Sequence, residues 1–294
     1  MRLRFRAKYA KNRKAAKEAR VYHSVAERLK ISHENLVAAL RLLEYYSSSK
    51  SEVMMKGIVL AGGLGTRLAP LTRVTNKHLL PVFDEPMVYY PIRTLVDAGI
   101  SDILVVTGGN SAGDFLKLLR NGKEFGLKRL HYAYQEGEGG IADALSLAEH
   151  FADGGPVCVV LGDNILEKSI GPFVRKFRHQ GSGAKILLRE VSDPQRFGVP
   201  VLEDGRVIKI EEKPSEPKSQ YAVIGVYMYD NRVFDIIKTL KPSGRGELEI
   251  TDVNNAYIEA GDLCWDVIEG WWTDAGTFES LLNASNLVAD LRAK

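Results

Sequence analysis

The sequence is poor in cysteine: only Cys158 and Cys264 occur in 294 residues, each within an apolar stretch. Two isolated thiols make no disulfide framework, so a reducing cytoplasm is the expected compartment. Long hydrophobic runs are missing too. None approaches the roughly 20 residues that a transmembrane helix needs, so no membrane partner is expected. There is no internal repeat and no low-complexity tract beyond a few serines. The glycine-rich stretch "LAGGLGTRL" (60–68) lacks the G-K-[ST] of a Walker A loop and the G-x-G-x-x-G spacing of a dinucleotide fingerprint. Acid is absent from the first 17 residues, and no apolar h-region of a signal peptide follows.

What is present is ordinary for a globular protein, with 45% hydrophobic and 26% charged residues. The formal net charge of +3 hides a division. Residues 1–53 carry 13 bases against five acids, and the remainder is net acidic. The first segment is read as a basic helical extension. Ser24-x-x-Glu27 forms a capping box, Ser32 is a second N-cap, and Leu36, Ala39, Leu40 and Leu43 make a helical stripe. Residues 24–43 have a faint helix-turn-helix pattern, but Lys30 occupies the turn position that is often glycine, and no nucleic-acid partner is expected. "SSSKSE" (47–52) reads as a linker, and Met54-Met55 offers an alternative start site.

From residue 54 to 294 apolar runs alternate with amphipathic ones. Strands are expected at 57–61, 103–107, 130–134, 157–163 and 185–191. Helices are expected at 88–98, 111–120 (capped by Ser111), 140–150 and 171–179. Such alternation predicts an α/β fold, a mostly parallel sheet covered on both faces. After 196 the pattern turns β-rich, with a hairpin through Glu203-Asp204-Gly205, a strand over "YAVIGVYMYD", and helices at 230–239, 247–259 and 277–291.

A glycine loop after the first strand of such a sheet lies at its carboxyl edge, where ligands bind. Gly62, Gly63 and Gly65 let N–H groups approach an anion, and Arg67 adds a fork of donors suited to phosphate oxygens. Lys77 follows ten residues on. Asp163 in "LGDN" ends an apolar strand, Lys213 in "EEKP" ends another, and Asp274 sits in "GWWTDAGT". Taken singly, each has a plainer reading: a tight turn, a solvated base, the N-cap of a last helix. Taken in this order they form a pattern.

That pattern resembles the sugar-1-phosphate nucleotidyltransferases, most closely the branch that uses dTTP and glucose 1-phosphate. The resemblance rests on Gly62-Gly63-Leu64-Gly65-Thr66-Arg67 followed by Lys77-His78-Leu79-Leu80-Pro81, and it spans residue 55 to about 290. It implies a Rossmann-like three-layer α/β/α fold with a β-rich sugar-binding part. It further implies that the 62–67 loop holds the nucleoside triphosphate and that Gln135 and Gly140 recognise the base. Asp163 and Asp274 match two Mg²⁺ ligands. Gly198, Glu212, Lys213, Gly225 and Arg245 match the sugar-phosphate pocket. Arg67, Lys77 and Lys213 are the cations implied to steady the reacting phosphates. His78 replaces the glutamine of longer members, and the extra C-terminal helices of those members are absent, which points to a shorter branch, either monomeric or homo-oligomeric. Two rival readings are a UTP-dependent uridylyltransferase and a sugar-nucleotide sensor without turnover. The retention of both aspartates with Arg67 and Lys213 favours an enzyme.

Overall fold

The structure is a computed structural model, and it describes residues 54–293. The expected capping box, stripe and linker of residues 1–53 lie outside the described residues. In chain order the strands and helices are β1 (Lys56–Ala61), β2 (Pro81–Val82), β3 (Glu85–Pro86), α1 (Tyr89–Asp97), β4 (Asp102–Gly108), α2 (Ala112–Leu119), β5 (Arg129–Gln135), α3 (Ile141–Ser146) and α4 (Glu149–Ala152). There follow β6 (Val157–Leu161), β7 (Asn164–Leu166), α5 (Gly171–Gln180), β8 (Ala184–Glu190), β9 (Gly198–Glu203), β10 (Arg206–Glu212) and β11 (Tyr221–Tyr229). The last are α6 (Arg232–Thr239), α7 (Ile250–Glu259), β12 (Leu263–Val267), β13 (Trp272–Asp274) and α8 (Phe278–Arg292).

Strands β6, β1, β4 and β5 run parallel and side by side, with Ile58 of β1 between Val159 and Leu104. Both faces of this block are covered. Ile58 and Leu60 point into one cluster with Tyr229, Phe234 and Val253, while Val59 and Ala61 point into another with Ile92, Phe115 and Val174. Full burial of such an aliphatic contributes about 1.5–3 kcal/mol. That exceeds the sub-kilocalorie strand propensities, so two-faced burial decides where these runs pair.

The sheet then changes character. β11 runs antiparallel to all three of its neighbours. At Tyr227–Tyr229 it lies between β8 and β6, but at Val223 it lies between β8 and β9. One edge of β11 is therefore shared by two strands, and the sheet forks there. The register of β11 against β8 shifts between Val223 and Tyr227. The hairpin β9–β10 forms one prong, turning through Asp204 and Gly205, both at positive φ. The parallel block β6–β1–β4–β5 forms the other.

Four expectations need correction. The run 157–163 stops pairing at Leu161, and Asp163 lies in the turn before β7. The helix expected over 140–150 is two helices. The Ser146 hydroxyl donates back to the Asp143 carbonyl at 2.7 Å, competing with the helical ladder just where α3 ends. Ser111 stands at the N-cap of α2 but its side chain makes no capping bond. β12 was not foreseen: it pairs parallel with β8 at the sheet's rim, where Cys264 and Val267 are exposed and Asp266 interrupts the short apolar stretch around Cys264.

Candidate active site

One cavity of about 390 Å³ opens at the carboxyl ends of the parallel strands and runs into the fork. All sixteen residues singled out from the sequence line it.

The glycine loop leaves β1 directly. Gly63 and Gly65 take φ of 85° and 64°, the left-handed region open to glycine. A Cβ on Gly65 would stand 3.0 Å from Lys77 Cβ, so the loop packs against the base of that lysine. Thr72 clamps the loop by donating to the Gly65 carbonyl at 2.9 Å, and Leu68 anchors it by full burial. The Leu64 N–H donates to Glu138 Oε1 at 3.1 Å, and both residues line the cavity.

Lys77 crosses to Asp163, with Nζ 2.5 Å from Oδ2. Asn164 donates to the other oxygen at 3.0 Å. Burial raises the Asp163 carboxyl, but the Lys77 charge and these hydrogen bonds outweigh it and hold the group well below the usual range. Behind them His78 is driven down to about 3, first by burial and then by Lys77, so it is a neutral imidazole. Its Nδ1 lies 2.7 Å from Asn76 Oδ1.

Asp274 arrives from far along the chain. β13 pairs antiparallel with β7, Asp274 opposite Asn164, and the Ala275 N–H donates to the Asp163 carbonyl at 2.9 Å. This small ladder brings the two aspartates together. Burial, and then the Asp163 charge, raise the Asp274 carboxyl to about 6, against the pull of Arg196, Arg67 and Lys77. Arg196 Nη2 is 3.2 Å from Asp274 Oδ2. A Cβ on Gly276 would stand 3.0 Å from Arg67 Nη2 and 3.5 Å from Asp274 Oδ2, so that glycine keeps the guanidinium beside the carboxylate. Asp274 is not the cap of α8: Thr277 and Ser280 form that capping box.

The other wall belongs to the hairpin and α7. Glu212, at the end of β10, accepts from Thr251 at 2.6 Å. Lys213 follows at φ 44° with its N–H donating to the Phe197 carbonyl at 3.0 Å. Arg245 is bound to both oxygens of Glu249 at 2.9 and 2.8 Å and lies 3.4 Å from Glu212. Gly225 lies at the fork itself. A Cβ there would be 2.6 Å from Asn164, whose Oδ1 accepts the Gly225 N–H at 2.8 Å and the Trp272 indole N–H at 2.7 Å.

Three comparisons bear on this arrangement. The nucleotidyl transferase family model matches residues 56–290. The chain belongs to the nucleotidyl transferase family. It is 47% identical over 238 residues to the glucose-1-phosphate thymidylyltransferase of Neisseria meningitidis, covering 80% of this chain and 82% of that one. It is 46% identical over 244 residues to the enzyme of the same name from Mycolicibacterium smegmatis, covering 82% and 84%. Among solved structures, a Bacillus anthracis chain crystallised with sucrose and classed provisionally as a glucose-1-phosphate thymidylyltransferase shares 52% identity. It superposes with a TM-score of 0.77 over 80% of this chain and 96% of that one. This nucleotidyltransferase is thus an enzyme, as its paired aspartates and cations suggested, and the sensor alternative is set aside. No helix among the described residues is long and apolar enough to cross a membrane.

The nucleotidyltransferase cavity also holds residues that sequence reasoning passed over. Asn164, Arg196, Tyr227, Glu249, Thr251 and Trp272 all line it. Asn164 and Trp272 lie inside the quoted stretches "LGDN" and "GWWTDAGT", and Arg196 stands two residues before Gly198; nearness to the residues singled out was the only signal for them. Tyr227 lies two residues past Gly225 on the same strand, and period-two alternation could have placed the two on one face. Glu249 and Thr251 flank the start of α7 in the same stretch as Arg245, and that nearness was their only signal.

Proposed function

We propose that this nucleotidyltransferase joins dTTP and glucose 1-phosphate to give dTDP-glucose and pyrophosphate. The observation that carries the reading is the division of one cavity between two sets of cations. The glycine loop, Arg67 and Lys77 come from the chain that follows β1, Lys213 from the end of the β9–β10 hairpin and Arg245 from the segment before α7, and Asp163 and Asp274 line the same cavity. The names of the relatives support the choice of base and sugar.

The reaction needs no strong base. A phosphate oxygen of the sugar 1-phosphate, already anionic, attacks the α-phosphorus. The new P–O bond forms as the α–β bridging P–O bond breaks, and pyrophosphate leaves with the electron pair. The barrier lies in holding two polyanions in line, which calls for positioning and fixed positive charge. The 62–66 loop and Arg67 hold the β- and γ-phosphates. Lys77 neutralises charge at the α-phosphate, and Lys213 and Arg245 hold the sugar phosphate. Glu212, Gly198 and Gly225 border the sugar, while Gln135 and Gly140 border the base. In a partly dry cleft these charges count for more than in water.

Asp163 and Asp274 fit Mg²⁺. They offer hard oxygens, and burial, with the Asp163 charge beside it, raises the Asp274 carboxyl, a cost that a bound cation would relieve. No group of three or more His, Cys, Asp or Glu that could hold a metal occurs among the described residues. That suits an ion which takes one or two carboxylates and completes its shell with phosphates and water. When bound, Mg²⁺ supplies charge neutralisation on the triphosphate.

The test is a panel of dTTP, UTP, CTP, ATP and GTP against several sugar 1-phosphates, following pyrophosphate release. The highest kcat/KM is expected for dTTP with glucose 1-phosphate. Clear preference for UTP would make the chain a uridylyltransferase, and preference for a purine nucleotide would overturn the reading.

A further inference from the structure

Gln135 is the last residue of β5 and is buried at 5% exposure. Its amide nitrogen donates to Asp143 Oδ2 at 2.7 Å and to the Gly140 carbonyl at 3.1 Å. A carboxamide nitrogen has two hydrogens, and both are used. Both partners are acceptors only. Turning the amide over would set Oε1 against a carboxylate and a carbonyl, so the network admits one orientation. In that orientation Oε1 faces Gly62 of the nucleotide loop, where a Cβ would stand 2.7 Å from it. Among the described residues no hydrogen bond is made to Oε1.

Two glycines make room for this device. A Cβ on Gly139 would lie 2.4 Å from Asp143 Oδ2 and displace the carboxylate that holds the amide. A Cβ on Gly62 would cover Oε1. Neither glycine has a positive φ, so each is required by space rather than by backbone conformation.

We infer that Asp143 is a positioning residue for base selection: it locks the Gln135 amide so that only an acceptor faces the nucleotide base. This rests on the reading of Gln135 as the base contact in the proposed reaction. An acceptor at Oε1 takes the N3–H of thymine or uracil. Cytosine presents a lone pair at N3, and two acceptors repel. A buried polar group left unpaired in this way is a strong basis for rejecting a ligand. The 5-methyl of thymine is not read by this contact. Asp143 therefore sets thymine and uracil against cytosine, and leaves the choice between thymine and uracil to other groups.

The experiment measures kcat/KM for dTTP, dUTP and dCTP, at saturating glucose 1-phosphate, in the wild type and in Asp143→Ala and Asp143→Asn. Melting temperatures show that each variant is folded. The wild type is expected to favour dTTP over dCTP by about 100-fold or more. Asp143→Ala should reduce that ratio about tenfold or more, since the freed amide can turn its N–H₂ toward the base, whereas Asp143→Asn, whose Oδ1 still accepts from Nε2, should largely keep it. The dTTP:dUTP ratio should not move. A merely structural role would lower all three alike. A dTTP:dCTP ratio unchanged in folded Asp143→Ala overturns the inference and leaves the proposed reaction standing. A second measurement needs no variant. N3-methyl-dTTP lacks the hydrogen that Oε1 accepts and should be a poor substrate of the wild type. Turnover comparable to dTTP overturns the inference on its own. A wild type that turned over neither thymine nor uracil nucleotides would overturn the proposed reaction, and this inference with it.

Discussion

Lys77 Nζ and Asp163 Oδ2 stand 2.5 Å apart at the bottom of the cavity, with both side chains largely buried. The pair joins the turn after the glycine loop to the turn after β6, and each group keeps the other charged. A lysine so placed is preorganised and reaches a phosphate without reordering its side chain.

Lys77→Met should therefore lower kcat/KM by about 10²–10³. It should also cost stability, because Asp163 keeps its burial and loses its counter-charge. Lys77→Arg is not expected to restore turnover, since a planar fork does not fit a point contact. Steady-state kinetics and thermal melts check both parts. Turnover within a few-fold of wild type in Lys77→Met would remove the lysine from the reaction.

Asp274→Asn should cut turnover by orders of magnitude while the domain stays folded. The motivation is the crowding of Asp274 against Asp163, which a divalent cation would relieve. In a thermal-shift titration, Mg²⁺ with dTTP should raise the melting temperature of the wild type more than that of the variant. Equal shifts in the two proteins would mean that Asp274 is no ligand.

Lys213 belongs to the sugar-phosphate wall. Lys213→Ala should raise the KM for glucose 1-phosphate by about 10–100-fold, matching the loss of one charged hydrogen bond. The KM for dTTP should change far less. If the defect fell on the nucleotide side alone, Lys213 would move to the other half of the cavity.

Away from the cavity, Asp266 accepts from both Lys176 and Lys185, and the Lys185 side chain is only 6% exposed. Burial raises the Asp266 carboxyl, but the two lysines outweigh it and hold the group below its ordinary value of 3.8. A depressed carboxyl contributes stability above that ordinary value and loses it as the pH falls through the lowered one. Asp266→Asn should thus cost about 2–3 kcal/mol near neutral pH, because Lys185 is left buried and unpaired. The deficit should shrink as the pH falls below the ordinary value of 3.8 and through the lowered one. Urea unfolding across that range is the check, and a deficit that did not vary with pH would sink the ionic account.

A protein beginning at Met55 should fold and keep full turnover. The family match begins at residue 56, and Met55 is the first buried side chain among the described residues. Comparing turnover and melting temperature of the two lengths decides it. An inactive or insoluble short form would show that the catalytic structure needs the extension.

The sequence by itself determined the parallel block and the order of its ligand-facing ends. Runs such as "GIVLA" and "VCVVL" are apolar at every position because both faces are buried, and that signal is local. The 62–67 loop was legible for the same reason, since glycine spacing and the following arginine act within six residues. Only the tertiary structure decided what lies opposite. Asp163 and Asp274 meet through the β7–β13 ladder, whose strands of three residues are too short to leave a periodic trace. Tyr227 enters the cavity from β11, which shares one edge between β6 and β9, and a fork depends on register between distant strands; Thr251 comes from α7 and Trp272 from the β7–β13 ladder. The orientation of Gln135 was hidden as well. It depends on two acceptors converging on one nitrogen across the break between β5 and α3, and that convergence exists only once the chain has folded.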